Sequence, residues 1–136
     1  MKEKISKILV GIDGSRSSMN ALYYGIIISE KFNSKLYVAH FAYPIDVKKA
    51  KKNINRWFKK IPIYINKIPN NKVDYSTDLV ISPSPIIDSI LDYVKKNKID
   101  HIIVGSSRKS GVRKLLLGST SSGIVNSSNC IVTVVK

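Results

Sequence analysis

The sequence predicts an α/β protein, a single doubly wound domain over 1–136 with an open sheet of five mostly parallel strands and about four helices. Short apolar runs rich in β-branched residues alternate along the chain with segments whose apolar residues recur at helical spacing. The runs "IIV" (102–104) and "IVTVV" (131–135) lack a polar alternation, as expected of strands buried on both faces. A chain of 136 residues is long enough for one core of its own.

The first three elements follow from local patterns. The apolar run "KILVGID" over 7–13 ends in glycine and aspartate, which predicts a strand followed by a turn. Ser17 or Ser18 is the expected N-cap of a helix, because apolar residues recur at helical spacing from Met19 onward. The segment "SKLYVAHF" (34–41) predicts the second strand.

The middle of the chain predicts a basic helix, a strand and a third helix. Over 46–60 the apolar residues share one helical face and cations cover the rest, while Pro62 limits continuation of the helix. The run 73–81 predicts a strand, although its alternation is imperfect. Pro85 suits the start of the following helix, which turns its isoleucine and leucine side chains inward.

The last third predicts a strand over 100–106, a helix from Ser119 to about Asn126, and a strand over 130–136. In doubly wound sheets ligands bind outside the carboxyl ends of the strands, where the strand order reverses. The loops after the first and fourth strands both lie at carboxyl ends. If these strands are neighbours, their two loops face one crevice.

Composition narrows the function classes. No apolar run reaches the ~18 residues of a membrane span, and no signal-like N-terminus is visible, so we expect a cytoplasmic protein without membrane insertion. The single Cys130 excludes an internal disulfide, and with only His40 and His101 besides it, no metal site is expected. The net charge of +14 is concentrated in 41–72, which carries nine cations and one acid. That charge suits solubility, a phosphate-bearing ligand or nucleic acid.

The stretch "GSSRKSGVRKLLLGSTSS" (105–122) mixes glycines, cations and hydroxyls, but it lacks the Gly-Lys-Ser/Thr triplet of a P-loop. Gly105 at a strand end lets a ligand approach the backbone. Gly118 and Ser119 open a helix whose free N–H groups and positive dipole end suit phosphate. The alternative is that Gly118 only makes a turn and Ser119 only caps the helix.

Three segments, "ILVGIDGSRSS", "DHIIVGSSRKSGVRKLLLGSTSS" and "NCIVTVV", resemble the universal stress protein family in order and spacing. The resemblance implies a Rossmann-like fold and a homodimer that pairs C-terminal strands. The family's ATP-binding branch carries Gly-x2-Gly-x9-Gly-Ser/Thr, which Gly105, Gly118 and Ser119 match. Arg108 stands where the motif has its second glycine.

The resemblance also implies which residues form the site. Asp13 would lie at the nucleoside end, where a carboxylate accepts ribose hydroxyls, although it can equally just cap the turn. Gly11 and Ile12 would shape the pocket through their backbone, and Phe41 is either an apolar neighbour of adenine or a core residue. The remaining candidates are Val104, Ser107, Thr120 and Ser121.

Arg108 leaves two outcomes open. Its side chain either fills the phosphate region and blocks ATP, or the loop rearranges and the guanidinium pairs with phosphate, helped by Lys109. Arg113 and Lys114 are expected to lie on a solvent-exposed face rather than to bind the ligand. The expected ligand is ATP, with Mg, or AMP or ADP in its place.

The resemblance leads to the expectation of a nucleotide-dependent regulatory or stress-response module that acts through an unknown protein partner. No catalytic residues are predicted, because the sequence offers no general base for efficient hydrolysis. The alternatives are a nucleotide-independent interaction module of the same fold and a nucleic-acid-binding protein that uses the basic helix. Against the second, Trp57 falls on the apolar face with Ile54 and Phe58, where it cannot stack on bases.

Overall fold

The computed structural model describes residues 5–106 and 118–136. In chain order the elements are β1 (Lys7–Gly11), α1 (Arg16–Phe32), β2 (Lys35–Ala42), α2 (Val47–Phe58), α3 (Lys60–Ile65), β3 (Tyr75–Ile81), α4 (Ile86–Asn97), β4 (His101–Gly105), α5 (Ser119–Ser127) and β5 (Ile131–Val135). A 3-10 turn, Pro44–Asp46, leads from β2 into α2.

The five strands form one parallel sheet in the order β3-β2-β1-β4-β5, which confirms the predicted doubly wound α/β fold. The chain runs outward from β1 through β2 to β3, then returns to the other side of β1 for β4 and β5. The order therefore reverses between β1 and β4, which pair directly with Gly11 opposite Val104. Their carboxyl ends flank the crevice in which this class of fold binds ligands.

Two buried clusters fill the two faces of the sheet. On one face Ile8 and Val10 of β1 pack with Ile26 of α1 and residues of α3. On the other face Leu9 of β1 packs with Ile90 of α4 and residues of α5. Because successive side chains of a strand point to opposite faces, β1 supplies both clusters and is buried on both sides. This burial fixes the position of the strand that carries the candidate site.

The N-cap of α1 differs from the sequence prediction. It is Ser15, whose hydroxyl accepts the Ser18 amide at 3.2 Å, and neither Ser17 nor Ser18 holds that place. Ser18 lies inside the first turn, where its hydroxyl donates to the Ser15 carbonyl oxygen at 3.0 Å. A run of serines offers several caps at similar cost, so the turn that precedes the helix decides which one is used.

The basic helix predicted over 46–60 is two consecutive helices, α2 and α3, and helical structure continues past Pro62 to Ile65. Pro62 is the third residue of α3. A proline is tolerated in a first turn because an N–H there lacks an intrahelical acceptor in any case. Across the described ranges, no helix is long and apolar enough to cross a bilayer.

Candidate nucleotide site at the carboxyl ends of β1 and β4

The 12–14 turn, formed by Ile12, Asp13 and Gly14, follows β1 directly. Gly14 has a φ of +80°, a conformation that glycine adopts at little cost. The Asp13 amide donates to Oγ of Ser18 at 3.2 Å, and Asp13 Oδ1 accepts the Ser15 amide at 2.9 Å. These bonds hold the turn against the first turn of α1 and leave the Asp13 side chain exposed at the sheet edge.

Asp13 stays ionised near neutral pH. Burial on its protein side acts to raise the pKa of the carboxyl, but hydrogen bonds from Ser15 and Ser18 and the neighbouring His40 imidazole outweigh it and lower the pKa below its ordinary value. A carboxylate with a lowered pKa is an acceptor only. Asp13 is therefore suited to accept hydrogen bonds from ligand hydroxyl or amino groups.

The end of β4 needs a glycine at position 105, because α1 packs directly against the backbone there. A Cβ at this position would lie 2.6 Å from the Ser17 carbonyl carbon, the Ser17 Oγ and the Ser18 amide nitrogen. Two of these are backbone atoms of a helix, which cannot move away alone. The sequence led us to assign this glycine to ligand approach, which stays a prediction, and the structure adds that α1 occupies the space that a Cβ would enter. The equivalent residue of β1, Gly11, has no such neighbour, because its added Cβ would meet only Val104 Cγ1 at 3.8 Å.

The start of α5 is tied to the end of β4. Ser121 is buried, and its hydroxyl donates to the Gly105 carbonyl oxygen at 2.8 Å. Gly118 is the N-cap of α5 with φ −63° and ψ 161°, and Ser119 and Thr120 are exposed in the first turn. The first-turn N–H groups of a helix have no intrahelical acceptor, so this end of α5 presents donors and a positive dipole end beside β4.

The structure thus brings those predicted site residues that it describes to the carboxyl ends of the strands, but in different environments. Ile12, Phe41 and Val104 are buried beneath these ends. Phe41 packs edge-on against Tyr93, with ring centroids 5.7 Å apart, in the cluster beneath α4 and α5. This is the core position that the sequence left open as an alternative for Phe41. Asp13 and the first turn of α5 supply exposed polar groups.

Two predicted site residues, Ser107 and Arg108, lie outside the described residues, as do Lys109, Arg113 and Lys114. The Ser17 hydroxyl is buried near Gly105 and has no hydrogen-bond partner among residues 5–106 and 118–136. A buried hydroxyl that the described residues leave without a partner is a donor or acceptor at the carboxyl end of β4. No group of three or more His, Cys, Asp or Glu side chains able to hold a metal occurs in residues 5–106 and 118–136.

Sequence reasoning missed Trp57 and His40 as neighbours of the site. Trp57, from the last turn of α2, lies directly against Gly14, and a Cβ on Gly14 would come within 2.6 Å of the indole Nε1 and closer still to the six-membered ring. His40 Nδ1 forms a 2.6 Å hydrogen bond with the Ile12 carbonyl oxygen. The only signal in the sequence was Gly14 itself, which does not reveal the residue packed against it.

The crevice between β1 and β4, with Asp13 on one side and the start of α5 on the other, lies at the point where open α/β sheets bind ligands. Comparison with known families agrees with this arrangement: a model described as "Universal stress protein family" matches residues 4–136. The chain belongs to the universal stress protein family. The match spans both loops of the crevice.

Individual universal stress proteins are similar along nearly the whole chain. Universal stress protein MJ0531 from Methanocaldococcus jannaschii is 25% identical over 158 positions, which cover 96% of this chain and 81% of the relative. A universal stress protein solved in complex with cAMP is 23% identical with a TM-score of 0.74, and the match covers 98% of each chain. The protein from Archaeoglobus fulgidus solved in complex with dAMP is 17% identical with a TM-score of 0.72, over 96% of this chain and 98% of that one. These structural similarities show a shared fold.

Proposed function

We propose that this universal stress protein binds an adenine nucleotide, with ATP as the favoured ligand, in the crevice between β1 and β4, and acts as a nucleotide-dependent regulatory module. The observation that carries the proposal is the pairing of β1 with β4, which puts Asp13 and the start of α5 at one sheet edge. Proteins of the same fold have been solved with cAMP and with dAMP, which supports an adenine nucleotide as the ligand class.

Each side of the crevice suits one part of a nucleotide. Asp13, an exposed carboxylate with a lowered pKa, accepts hydrogen bonds from ribose hydroxyls. The N–H groups and hydroxyls at Ser119 and Thr120 bind phosphate at the positive end of the α5 dipole. Ser121 keeps α5 in register with β4 through its bond to Gly105. In this mode of binding the exposed Asp13, Ser119 and Thr120 supply the charged and hydrogen-bonding groups. The buried apolar residues Ile12, Phe41 and Val104 lie beneath them.

We propose regulation rather than efficient turnover, with at most slow hydrolysis of ATP. The imidazole beside Asp13 is that of His40, whose Nδ1 is hydrogen-bonded to the Ile12 carbonyl oxygen. This nitrogen is therefore occupied and does not serve as a general base for hydrolysis. A bound nucleotide shifts the protein between conformations only through contacts that differ between them. We propose that such contacts differ between the nucleotide-bound and the empty crevice, and that a protein partner binds the surface that changes. We also propose a homodimer through β5, which lies at the edge of the sheet in the described chain.

Thermal unfolding with Mg-ATP, ADP and AMP tests the proposal directly. Ligand at ten times its dissociation constant stabilises the folded state by about 1.4 kcal/mol, which for a domain of this size raises Tm by roughly 5 °C. Inorganic phosphate and GTP at the same concentrations serve as controls for charge and for the base. No rise in Tm with any adenine nucleotide at millimolar concentration contradicts the proposal.

Restoring the motif glycine decides between the two roles of Arg108. We expect Arg108→Gly to lower the dissociation constant for ATP at least about threefold, because glycine allows close backbone approach to phosphate at this position. Arg113→Gly removes the same charge nearby and is the matched control. Isothermal titration calorimetry measures both variants. Weaker binding by Arg108→Gly alone would instead show that its guanidinium pairs with the phosphates.

One observation favours a second candidate function. The basic face of α2 consists of exposed cations, and Asp46 is the only acid between 41 and 72. The basic face consists of Lys48, Lys49, Lys51, Lys52 and Arg56 of α2, and of Lys59 and Lys60, which follow directly at the junction with α3. Like charges four residues apart on a helix repel by about 0.2–0.5 kcal/mol per pair, which a polyanion would relieve. A salt-sensitive mobility shift with DNA or RNA would support nucleic-acid binding over the nucleotide proposal.

A further inference from the structure

Trp57 connects helix α2 to the 12–14 turn. Its indole lies on the backbone of Gly14 so closely that a Cβ there has no space, and the positive φ of Gly14 suits glycine in any case. The contact joins residues 43 positions apart in the chain. The 12–14 turn is thus packed against the Trp57 side chain, which comes from a helix that follows β2 in the chain.

A second contact reaches the same turn through His40. The Trp57 and His40 rings meet edge to face, with centroids 5.0 Å apart and planes at 79°. His40 in turn holds the Ile12 carbonyl oxygen through Nδ1 at 2.6 Å. Trp57 therefore supports both ends of the turn, Gly14 directly and Ile12 through the imidazole. Asp13 lies between these two supported residues.

The other apolar residues of α2 pack against the interior of the protein. Ala50 and Ile54 are buried beneath the helix, and Phe58 packs with Trp57 against the cluster on that face of the sheet. The opposite side of the helix is the basic face of α2 defined above. Trp57 thus contacts the 12–14 turn from the last turn of a helix whose outer surface is strongly charged.

We propose that Trp57 is a positioning residue for Asp13 and couples nucleotide occupancy of the β1/β4 crevice to helix α2. This inference rests on the proposed function, and it adds a residue and a helix that the family motif does not include. A turn with a left-handed glycine has several accessible conformations when unsupported. The Trp57 indole and the His40 imidazole restrict the turn to the conformation that presents the Asp13 carboxylate. When a nucleotide binds and the turn moves, the indole is displaced.

The chain carries its own reporter for this coupling, because Trp57 is its only tryptophan. We expect ATP to change the Trp57 emission, excited at wavelengths that neither adenine nor the seven tyrosines absorb. The change should be half-maximal at the dissociation constant that calorimetry gives. The contact itself is tested without nucleotide, since Gly14→Ala pushes the indole away from the turn and should shift its emission to longer wavelength.

Three variants distinguish a role of Trp57 in positioning Asp13 from a general contribution to the stability of the fold. Trp57→Ala should weaken ATP binding about tenfold, equivalent to 1.4 kcal/mol. Trp57→Phe retains an aromatic ring against Gly14 and should bind ATP within about threefold of the wild type. Phe58→Ala is the matched control, because Phe58 neighbours Trp57 and is half-buried in the same cluster, whereas the atoms nearest to Gly14 all belong to Trp57. It should lower Tm and leave ATP affinity unchanged.

The outcomes distinguish this inference from the proposed function. Calorimetric binding of ATP to the wild type with no change in Trp57 emission, and with equal affinity in Trp57→Ala, overturns the coupling and leaves the nucleotide site standing. A loss of affinity in Phe58→Ala as large as that in Trp57→Ala also overturns it, because the effect then reflects stability. No calorimetric binding to the wild type rejects the proposed function itself, and the inference with it.

Discussion

Gly105→Ala should destabilise the protein by about 3 kcal/mol, the upper end of the cost of overpacking a core, and lower Tm by roughly 10 °C. The added methyl would lie 2.6 Å from backbone atoms of Ser17 and Ser18. Relief requires a shift of the entire first turn of α1, which also carries the hydrogen bond between Ser18 and the Asp13 amide. Thermal unfolding followed by circular dichroism measures the effect.

Gly11→Ala is the control for that substitution. Gly11 ends β1 as Gly105 ends β4, but its added methyl would meet only Val104 Cγ1 at an ordinary contact distance of 3.8 Å. We expect its Tm to stay within about 2 °C of the wild type, the range of a surface-like substitution. Equal losses of Tm in both variants would refute the close approach of α1 to β4.

Gly118→Val should weaken ATP binding at least about tenfold, or 1.4 kcal/mol, and so abolish most of the nucleotide-dependent rise in Tm. The valine side chain would stand over the first-turn N–H groups of α5, which we propose bind phosphate. The backbone of Gly118, at φ −63° and ψ 161°, is one that valine adopts readily, so the fold should persist. Calorimetry and Tm without nucleotide measure the two effects separately.

The matched control places the same side chain at the other end of α5. Asn126 is exposed in the last turn, and Asn126→Val should leave ATP affinity unchanged. If Gly118→Val binds ATP as tightly as the wild type, the start of α5 is not the phosphate site. If it unfolds the protein in the absence of nucleotide, Gly118 serves the fold instead.

Much of the architecture was predictable because it depends on local patterns. The apolar runs of the five strands and the helical spacing of the apolar residues in α1 and α4 identified the doubly wound sheet, with element ends differing by one or two residues. Local patterns were less decisive where several residues serve equally well. The serine-rich start of α1 allowed several N-caps, and Pro62 fitted the first turn of a new helix as well as the end of an old one.

The sequence by itself determined the α/β class, the family resemblance, and the two loops that carry Asp13 and Gly118. Each of these depends on residues close together in the chain. Only the tertiary structure decided that Gly105 makes room for α1 and that Trp57 supports Gly14. Contacts between residues 43 or 88 positions apart follow from the packing of helices on the sheet, and a glycine in the sequence does not show what occupies the space beside it.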